Sequence, residues 1–524
     1  MSRPPGLAAA ATVVLATVWL WPHILHPLRV PDRGDPVFSA WRIARIGRQI
    51  TRDPRRLFDG NIFYPRRWTL AYSDATLLEG AAGTPFLAAG ARPLLVANAL
   101  FLIAFPLCGL AFFYAGWRLT GDRGAALVAG LLGAWYPFHG EHYSHLELQW
   151  FMFVPLAFVA ALETIAEPTW RKGIVLGSLV ALQSLASMYL GLMLACAIGP
   201  LVLVRFALSG PSRWRERAVA LAMSAVVFGP VVVALAIPYE RARAEHGDRS
   251  AAEIEQGSAV PGDYLKTSRR LAAYSWHERA MNRPERELFP GTSTVALAAI
   301  GAIAGPLDVA LPLGAAAAAA FDWSLGVHGA TYRALATVVP PFRNVRVPAR
   351  FAVVFGSALI LLAARGVQFI LRHSGKARDV VLVVIAAGVL FDLRLTSSLV
   401  DYYPSVPSVY ERVGPDAVLA EFPLGHEIDG MYFSTKQWPN LLSGYSGFVP
   451  SDAALTADLA AFPESAALER LRIRGATHLV YNCEFERSPE RCAFNASELA
   501  ANPALELVAA ERWMDATARL YRFR

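Results

Sequence analysis

Apolar runs long enough to cross a bilayer recur along the first 395 residues, and no other feature limits the possible folds as tightly. A run of about 17 to 25 predominantly apolar residues spans the hydrocarbon core, and a soluble domain rarely needs even one. Eleven membrane-spanning segments are expected, at 7–25, 94–117, 124–138, 146–164, 173–188, 189–206, 217–238, 290–307, 309–321, 350–368 and 378–395. The pair over 173–206 divides at SLASMY, readable as a membrane-embedded break or as a true turn, and 309–321 is short. Such irregular elements are tolerated where protein or a water-filled cavity covers them. Composition agrees, with 55% hydrophobic and only 17% charged residues, against roughly 25% charged in an ordinary soluble protein. The first run reads as a span and not as a cleaved signal, since Arg3 precedes it but no A-x-A-like site follows.

A net charge of +7 would suit nucleic acid only if the arginines formed one basic face. They fall instead between apolar runs, as in 205–217 and 365–378, which is the pattern of cytoplasmic loops under the positive-inside rule. Placing these with 118–123 and 165–172 inside gives a cytoplasmic N-terminus and puts the connections 26–93, 239–289 and 322–349 outside, together with a tail, 396–524. The expected organisation is therefore a membrane domain, 1–395, and a small extracytoplasmic α/β domain, 396–524.

The first outer loop has structure of its own. AWRIARIGRQI (40–50) separates apolar residues from arginines on a helical wheel and reads as an interfacial helix. LLEGAAGTPFLAAG (77–90) reads as a second, with the turn-rich DPRRLFDGNIFYPRRWTLAYSD ordered between them. In the tail, AVLAEFPLG and ATHLVYNCEF predict strands, TADLAAFPESAALERLRIRG a helix closed by Gly475, and ERWMDATARLYRFR a hairpin. Of four cysteines, Cys108 and Cys196 lie in apolar runs, whereas Cys483 and Cys492 flank eight residues of a polar stretch and suit a loop-closing disulfide outside the cytoplasm.

Chemistry concentrates on the outer face. Asp32 and Asp35, in VPDRGDPVF, follow the first span, where partial burial suits a carboxylate to act as a base. The competing reading makes Asp35 a helix cap, because Asp-Pro is a good N-cap and N1 pair. Asp74 and Glu79, in YSDATLLEG, give the same loop a second acidic cluster. HGEHYSHLELQW (139–150) spaces His142, His145 and Gln149 on one helical face and Glu141 with His145 on another. Glu147 falls about one turn inside the next span, which is costly unless it meets a cavity or a partner. PPFRNVRVPARF carries Arg343, Arg346 and Arg350, a trio suited to gripping phosphate. Tyr264, in PGDYLKTS, and the stretch RPERELFPG belong to another outer loop able to close over the same cavity. These groups together suit an anionic, lipid-linked substrate bound at the membrane interface.

At these residues the chain resembles the GT-C superfamily of membrane glycosyltransferases, in particular the bacterial group related to protein mannosyl- and arabinosyl-type transferases. The resemblance rests on DRGDPVF, DGNIFYPRRWTLAYSD, HGEHYSH, LGVHGATYRALATVVPPFRNVRVPARF and, in the tail, MYFSTKQWPNLLSGYSGFVP. It implies a polytopic α-helical GT-C-like protein of the bacterial cytoplasmic membrane. The activity implied is inverting transfer of a sugar from a polyprenyl-phosphate donor to a hydroxyl of a glycan, lipid or protein on the outer, periplasmic side. Asp35 takes the place of the superfamily's first-loop aspartate as general base, with Asp32 and Asp74 as alternatives. The spacing here is DxxD, where some members show D-x-D or E-x-D. Arg343, Arg346, Arg350, His142, His145, Glu141, Glu147 and Tyr264 become candidate substrate or phosphate contacts. A divalent cation, Mg or Mn, is left open, with Asp35, His142 and His145 as its candidate ligands. Two other readings stand beside this one: a transporter or lipid flippase, which would show inverted repeats that are not evident, and a non-catalytic envelope-assembly protein on the same fold.

Overall fold

In the computed structural model, which describes residues 6–274, 285–450 and 461–524, the chain is mostly helical and helices occupy every one of the apolar stretches. Five of the described helices are long and apolar enough to cross a membrane: Pro93–Thr120, Leu146–Ala166, Met188–Leu208, Trp214–His246 and Pro348–His373. The others are shorter or interrupted. The helix expected over 7–25 is two pieces, Gly6–Leu15 and Trp21–Leu25, joined by a tighter stretch whose bonds run from Thr17 and Leu20 to the third residue back. Pro22 opens the second piece, where its missing N–H costs nothing, and could not continue the first. SLASMY is a true break. Ser187 has extended backbone, ends Trp170–Ala186, and caps Met188–Leu208 by accepting from Leu190 N–H.

Small residues set how closely the membrane helices pack. Along Trp170–Ala186, Gly173 and Gly177 face the backbone of Trp214–His246 so closely that a Cβ on Gly173 would lie 2.0 Å from the Ala220 carbonyl oxygen. This is the small-xxx-small contact by which lipid-embedded helices gain van der Waals energy.

The stretch expected as the first outer loop is largely buried, not merely interfacial. Asp35–Arg52 extends well beyond the expected 40–50 and packs against Leu77–Ala88, with Gly80 and Gly83 seated against Ile46 and Ile43. Not all of its arginines stay on a solvent face, since Arg42 is 1% exposed. Between the two helices, the DGNIFYP turn is stitched to the tail. Trp41 Nε1 donates to Asn61 Oδ1 (3.0 Å), while Asn61 Nδ2 donates to Ser434 Oγ (3.0 Å) and the Pro439 carbonyl (2.7 Å). The backbone continues the seam, from Leu441 N–H to Asn61 O and from Tyr64 N–H to Leu441 O.

The tail forms a mixed sheet. A short ladder, β1 (Arg29–Val30) with β2 (Val400–Asp401), ties its beginning to the end of the first helical segment. Strands β3 (Val418–Phe422), β4 (Asn440–Leu441), β5 (His478–Asn482), β6 (Leu505–Trp513) and β7 (Ala516–Phe523) then pair in the order β4-β3-β5-β7-β6. The first three are parallel, and β6–β7 is the expected hairpin. Alternation along β3 and β5 buries both faces. Val418, Ala420, Leu479 and Tyr481 pack with Leu468 and Leu471 of the Ser465–Ile473 helix, while Leu419 and Val480 join the core continuous with the membrane part. The expected helix over TADLAAFPESAALERLRIRG begins only at Ser465, and its part within 451–460 lies outside the described residues. Cys483 and Cys492 form a disulfide, with Cα atoms 5.4 Å apart, against the Pro489–Ala501 helix.

Gly173→Ala should lower the thermal midpoint of the detergent-solubilised protein, by the equivalent of about 1 to 3 kcal/mol for overpacking. Gly199→Ala, whose new methyl meets open space, should leave it in place.

Candidate active site

Two segments that meet at the head of the Asp35–Arg52 helix build the centre of the site. The expected cap role of Asp35 falls elsewhere. Gly34 is the N-cap residue, Asp35 makes no side-chain capping bond, and it is Asp32 Oδ1 that accepts from Gly34 N–H (2.8 Å). Asp32 also accepts from Ser144 Oγ, so it braces the turn. The Asp35 carboxylate is thereby released toward a cavity of about 410 Å³. There its Oδ2 lies 3.2 Å from His145 Nε2 and its Oδ1 accepts from the Tyr445 hydroxyl at 3.4 Å.

The loop carrying the histidines is held from within. Gln149 Oε1 meets His139 Nδ1 at 2.6 Å, and its amide donates to the carbonyls of His142 (2.5 Å) and His145 (3.3 Å). Burial alone would push the His145 imidazole down. The hydrogen bond to Asp35 and the nearby charges of Glu285 and Glu147 outweigh that and hold it above its ordinary value. His142 is the opposite case. Burial dominates and lowers it to about 3, and Glu285 Oε2 at 3.9 Å is too distant for a hydrogen bond.

Below Asp35, the Arg42 guanidinium is almost wholly buried. It donates to Glu147 Oε2 (2.7 Å), to Ser39 Oγ (3.1 Å) and to the Asp74 carbonyl. Glu147 thus has a partner at its depth. The Asp74 carboxylate accepts from Ser187 Oγ (2.5 Å) and Met188 N–H (3.0 Å), at the positive end of the Met188–Leu208 helix. Burial nonetheless raises it above the usual carboxylate range. Glu79 is buried next to this cluster. Desolvation, reinforced by Asp74, pushes it well up as well.

The arginine trio separates. Arg350 is committed to Glu285 through two bonds, 2.6 and 2.8 Å, and this pairing holds Glu285 well below the usual range despite its burial. Arg343 turns away and donates to the Ala336 carbonyl (3.2 Å). Arg346 lines the cavity and has no carboxylate within ion-pair distance among the described residues. Three further expected residues, His142, Tyr264 and Glu141, do not line the cavity. Tyr264 donates to Ser324 Oγ (2.8 Å) and packs on Phe321 and Phe355. Glu141 is driven well above the carboxylate range by burial and then by Glu287. Met188, Tyr189 and Leu192, at the head of Met188–Leu208, give the cavity an apolar part.

Among the described residues no three His, Cys, Asp or Glu groups are spaced to hold one metal ion. Asp35 and His145 are paired to each other, and the His142 ring centre is 5.8 Å from that of His145 with its Nδ1 turned to Glu285. The three do not fit a common cation.

No family profile matches the sequence, and no curated protein does. Solved structures do. The arabinofuranosyltransferase AftD from Mycobacteria superposes with a TM-score of 0.61 at 13% identity, over 99% of this chain and 42% of that one. ArnT from Cupriavidus metallidurans gives 0.54 in its apo state, at 14% identity, and 0.52 when bound to undecaprenyl phosphate, at 13%. Both ArnT comparisons cover 98% of this chain and 97% of the other. The chain has the GT-C fold.

Within that fold, three cavity residues lie in stretches that the sequence singles out, but their individual roles are not visible in it. Arg42 sits among arginines of an amphipathic pattern that gives no depth. Glu285 is brought to Arg350 only by the return of a distant loop. Tyr445 comes from the tail, whose GYSGFVP stretch reaches over the GT-C cavity beside Arg346; the visible signal for that stretch is the tail motif MYFSTKQWPNLLSGYSGFVP.

Because His145 is raised in the folded state, its pairing with Asp35 stabilises fully below the unfolded imidazole value of about 6.5. That contribution is lost as pH rises through the higher folded value. The thermal midpoint of the wild type should therefore exceed that of His145→Gln at pH 6, with the gap closing toward pH 9; a gap independent of pH would contradict the pairing.

Proposed function

We propose that the protein is an inverting glycosyltransferase that moves a sugar from a polyprenyl-phosphate donor to an acceptor hydroxyl at the outer face of a bacterial cytoplasmic membrane. The observation that carries this reading is the Asp35 carboxylate, freed from capping, in one cavity with Arg346, which has no carboxylate partner among the described residues. The GT-C fold supports it, and the ArnT structure containing undecaprenyl phosphate supports a polyprenyl-phosphate donor. The same reading keeps eleven membrane elements, a cytoplasmic N-terminus, and a division into a membrane domain, 1–395, and a periplasmic domain, 396–524.

In this mechanism the acceptor oxygen attacks the anomeric carbon while the bond from that carbon to the phosphate oxygen breaks. The proton of the acceptor passes to Asp35, the bonding electron pair leaves with the phosphate, and the configuration inverts. His145 and Tyr445 orient the Asp35 carboxylate from either side. Arg346 stabilises charge on the departing phosphate, a role for which a guanidinium not already neutralised is needed. Arg350 acts by fixing Glu285. The apolar part at Met188, Tyr189 and Leu192 receives the first isoprene units.

Turnover can be followed with a panel of radiolabelled polyprenyl-phosphate sugars and membrane extracts as acceptor. Asp35→Asn should cut transfer by about 10²- to 10⁴-fold, the usual contribution of a general base, with donor binding retained. Undiminished transfer by this variant would rule out the base assignment. Arg346→Ala should weaken donor binding by roughly tenfold or more, the loss of a charged hydrogen bond, whereas Arg343→Ala should leave binding unchanged.

A further inference from the structure

A second cavity lies along the far half of the helix that presents Asp35. Its volume is about 830 Å³, and it shares no lining residue with the first. One wall is the last two turns of Asp35–Arg52, another is the start of Pro93–Thr120, and the tail closes the third through Tyr402, Tyr432 and Trp438.

The charges in this groove do not balance. Its two carboxylates are already matched, Asp401 to Arg29 at 2.7 Å and Glu411 to Lys436 at 3.1 Å. Arg48, Arg52 and Arg92 also line it, and none of the three has a carboxylate within ion-pair distance among the described residues. Arg48 and Arg52 repel each other one turn apart, and Arg48 lies over the ring of Trp438, 5.7 Å away. Three guanidiniums without a carboxylate partner among the described residues line one concave surface, which suits it to an anion.

Position identifies the kind of anion. Arg92 is the N-cap residue of Pro93–Thr120, a helix of 28 residues apolar enough to cross a membrane, so the basic mouth opens at the end of a span. Leu28, Leu87 and Leu94 give the same groove an apolar floor. On the outer surface nearby, Phe86 and Leu95 are left exposed. A basic rim over an apolar floor at a membrane boundary matches the amphipathic outline of a phospholipid, with its phosphate above and its chains alongside the helix.

We propose that this groove is a binding site for an anionic phospholipid, whose phosphate is held by Arg48, Arg52 and Arg92. The site is separate from the donor cavity and does not depend on the transferase reading. Its position on the shared helix means that the bound lipid would brace the segment that carries Asp35.

The test uses the full-length protein, purified in a zwitterionic detergent and titrated with phosphatidylglycerol. Lipid retention is read by native mass spectrometry and the thermal midpoint is read in parallel. The wild type should retain the lipid and gain in midpoint. Combined Arg48→Gln, Arg52→Gln and Arg92→Gln substitution should weaken binding by about tenfold or more, given that each basic residue near a membrane surface contributes substantially. The exposed pair Arg52→Gln and Arg92→Gln gives a milder version that leaves the packed part of the helix untouched. The corresponding lysine variants should bind within a few-fold of wild type, and Asp35→Asn should bind as wild type does. Equal phosphatidylglycerol binding by wild type and both glutamine variants would overturn the proposal. So would full protection by inorganic phosphate alone, which would mark a free-phosphate site, or equal binding of phosphatidylcholine, which would remove the role of net charge.

Discussion

Burying Arg42 is the constraint from which the geometry of the site follows. Removing a guanidinium from water costs several kcal/mol even after relaxation, so a side chain 1% exposed must find both a counter-charge and acceptors for its N–H groups. Glu147 supplies the charge, Ser39 and the Asp74 carbonyl supply acceptors, and the Phe38 ring lies 4.9 Å from the guanidinium carbon. These partners come from the Asp35–Arg52 helix, the segment just before Leu77–Ala88 and the head of Leu146–Ala166. All three must arrive together, since any one missing leaves a desolvated ion. Asp35 stands two turns earlier on the same helix, and His145 two residues before Glu147. The contacts Arg42–Glu147 and Asp35–His145 therefore pin the helix to the histidine loop at two points roughly 10 Å apart along its axis. That double attachment sets the rotation of the helix, and with it the direction of the Asp35 carboxylate.

Much of this was legible in the sequence where periodicity or a local motif carries the signal. Helices lie on each apolar stretch, β3 and β5 fall on AVLAEF and THLVYN, the terminal hairpin turns at Met514 and Asp515, and Cys483 joins Cys492. The charged groups of the first outer loop, the histidine loop and PPFRNVRVPARF also contribute to one cavity through Asp35, His145, Glu147 and Arg346. What the sequence could not show was which neighbouring group of the same kind plays which part. Asp32 and Asp35 look interchangeable in DRGD, yet the tight turn at Gly34 uses one carboxylate and leaves the other free. Arg343, Arg346 and Arg350 look like one cluster, yet Glu285 neutralises one and the backbone at Ala336 occupies another. Helix-wheel reasoning placed the arginines of AWRIARIGRQI outside because it takes no account of a partner buried more than a hundred residues away. Each of these distinctions depends on long-range pairing, and local pattern carries none of it.

The asparagine at the loop tip has a wider consequence. Asn61 spends its side-chain amide and its carbonyl on Trp41, Ser434, Pro439 and Leu441. The membrane part and the tail therefore share a strand edge, and neither is a freestanding cassette. Chimaeras that graft another tail onto this body would need to carry the whole MYFSTKQWPNLLSGYSGFVP segment with its own matching turn. Diversification of chains built this way would accordingly proceed by paired change on both sides of the seam, and not by wholesale domain exchange.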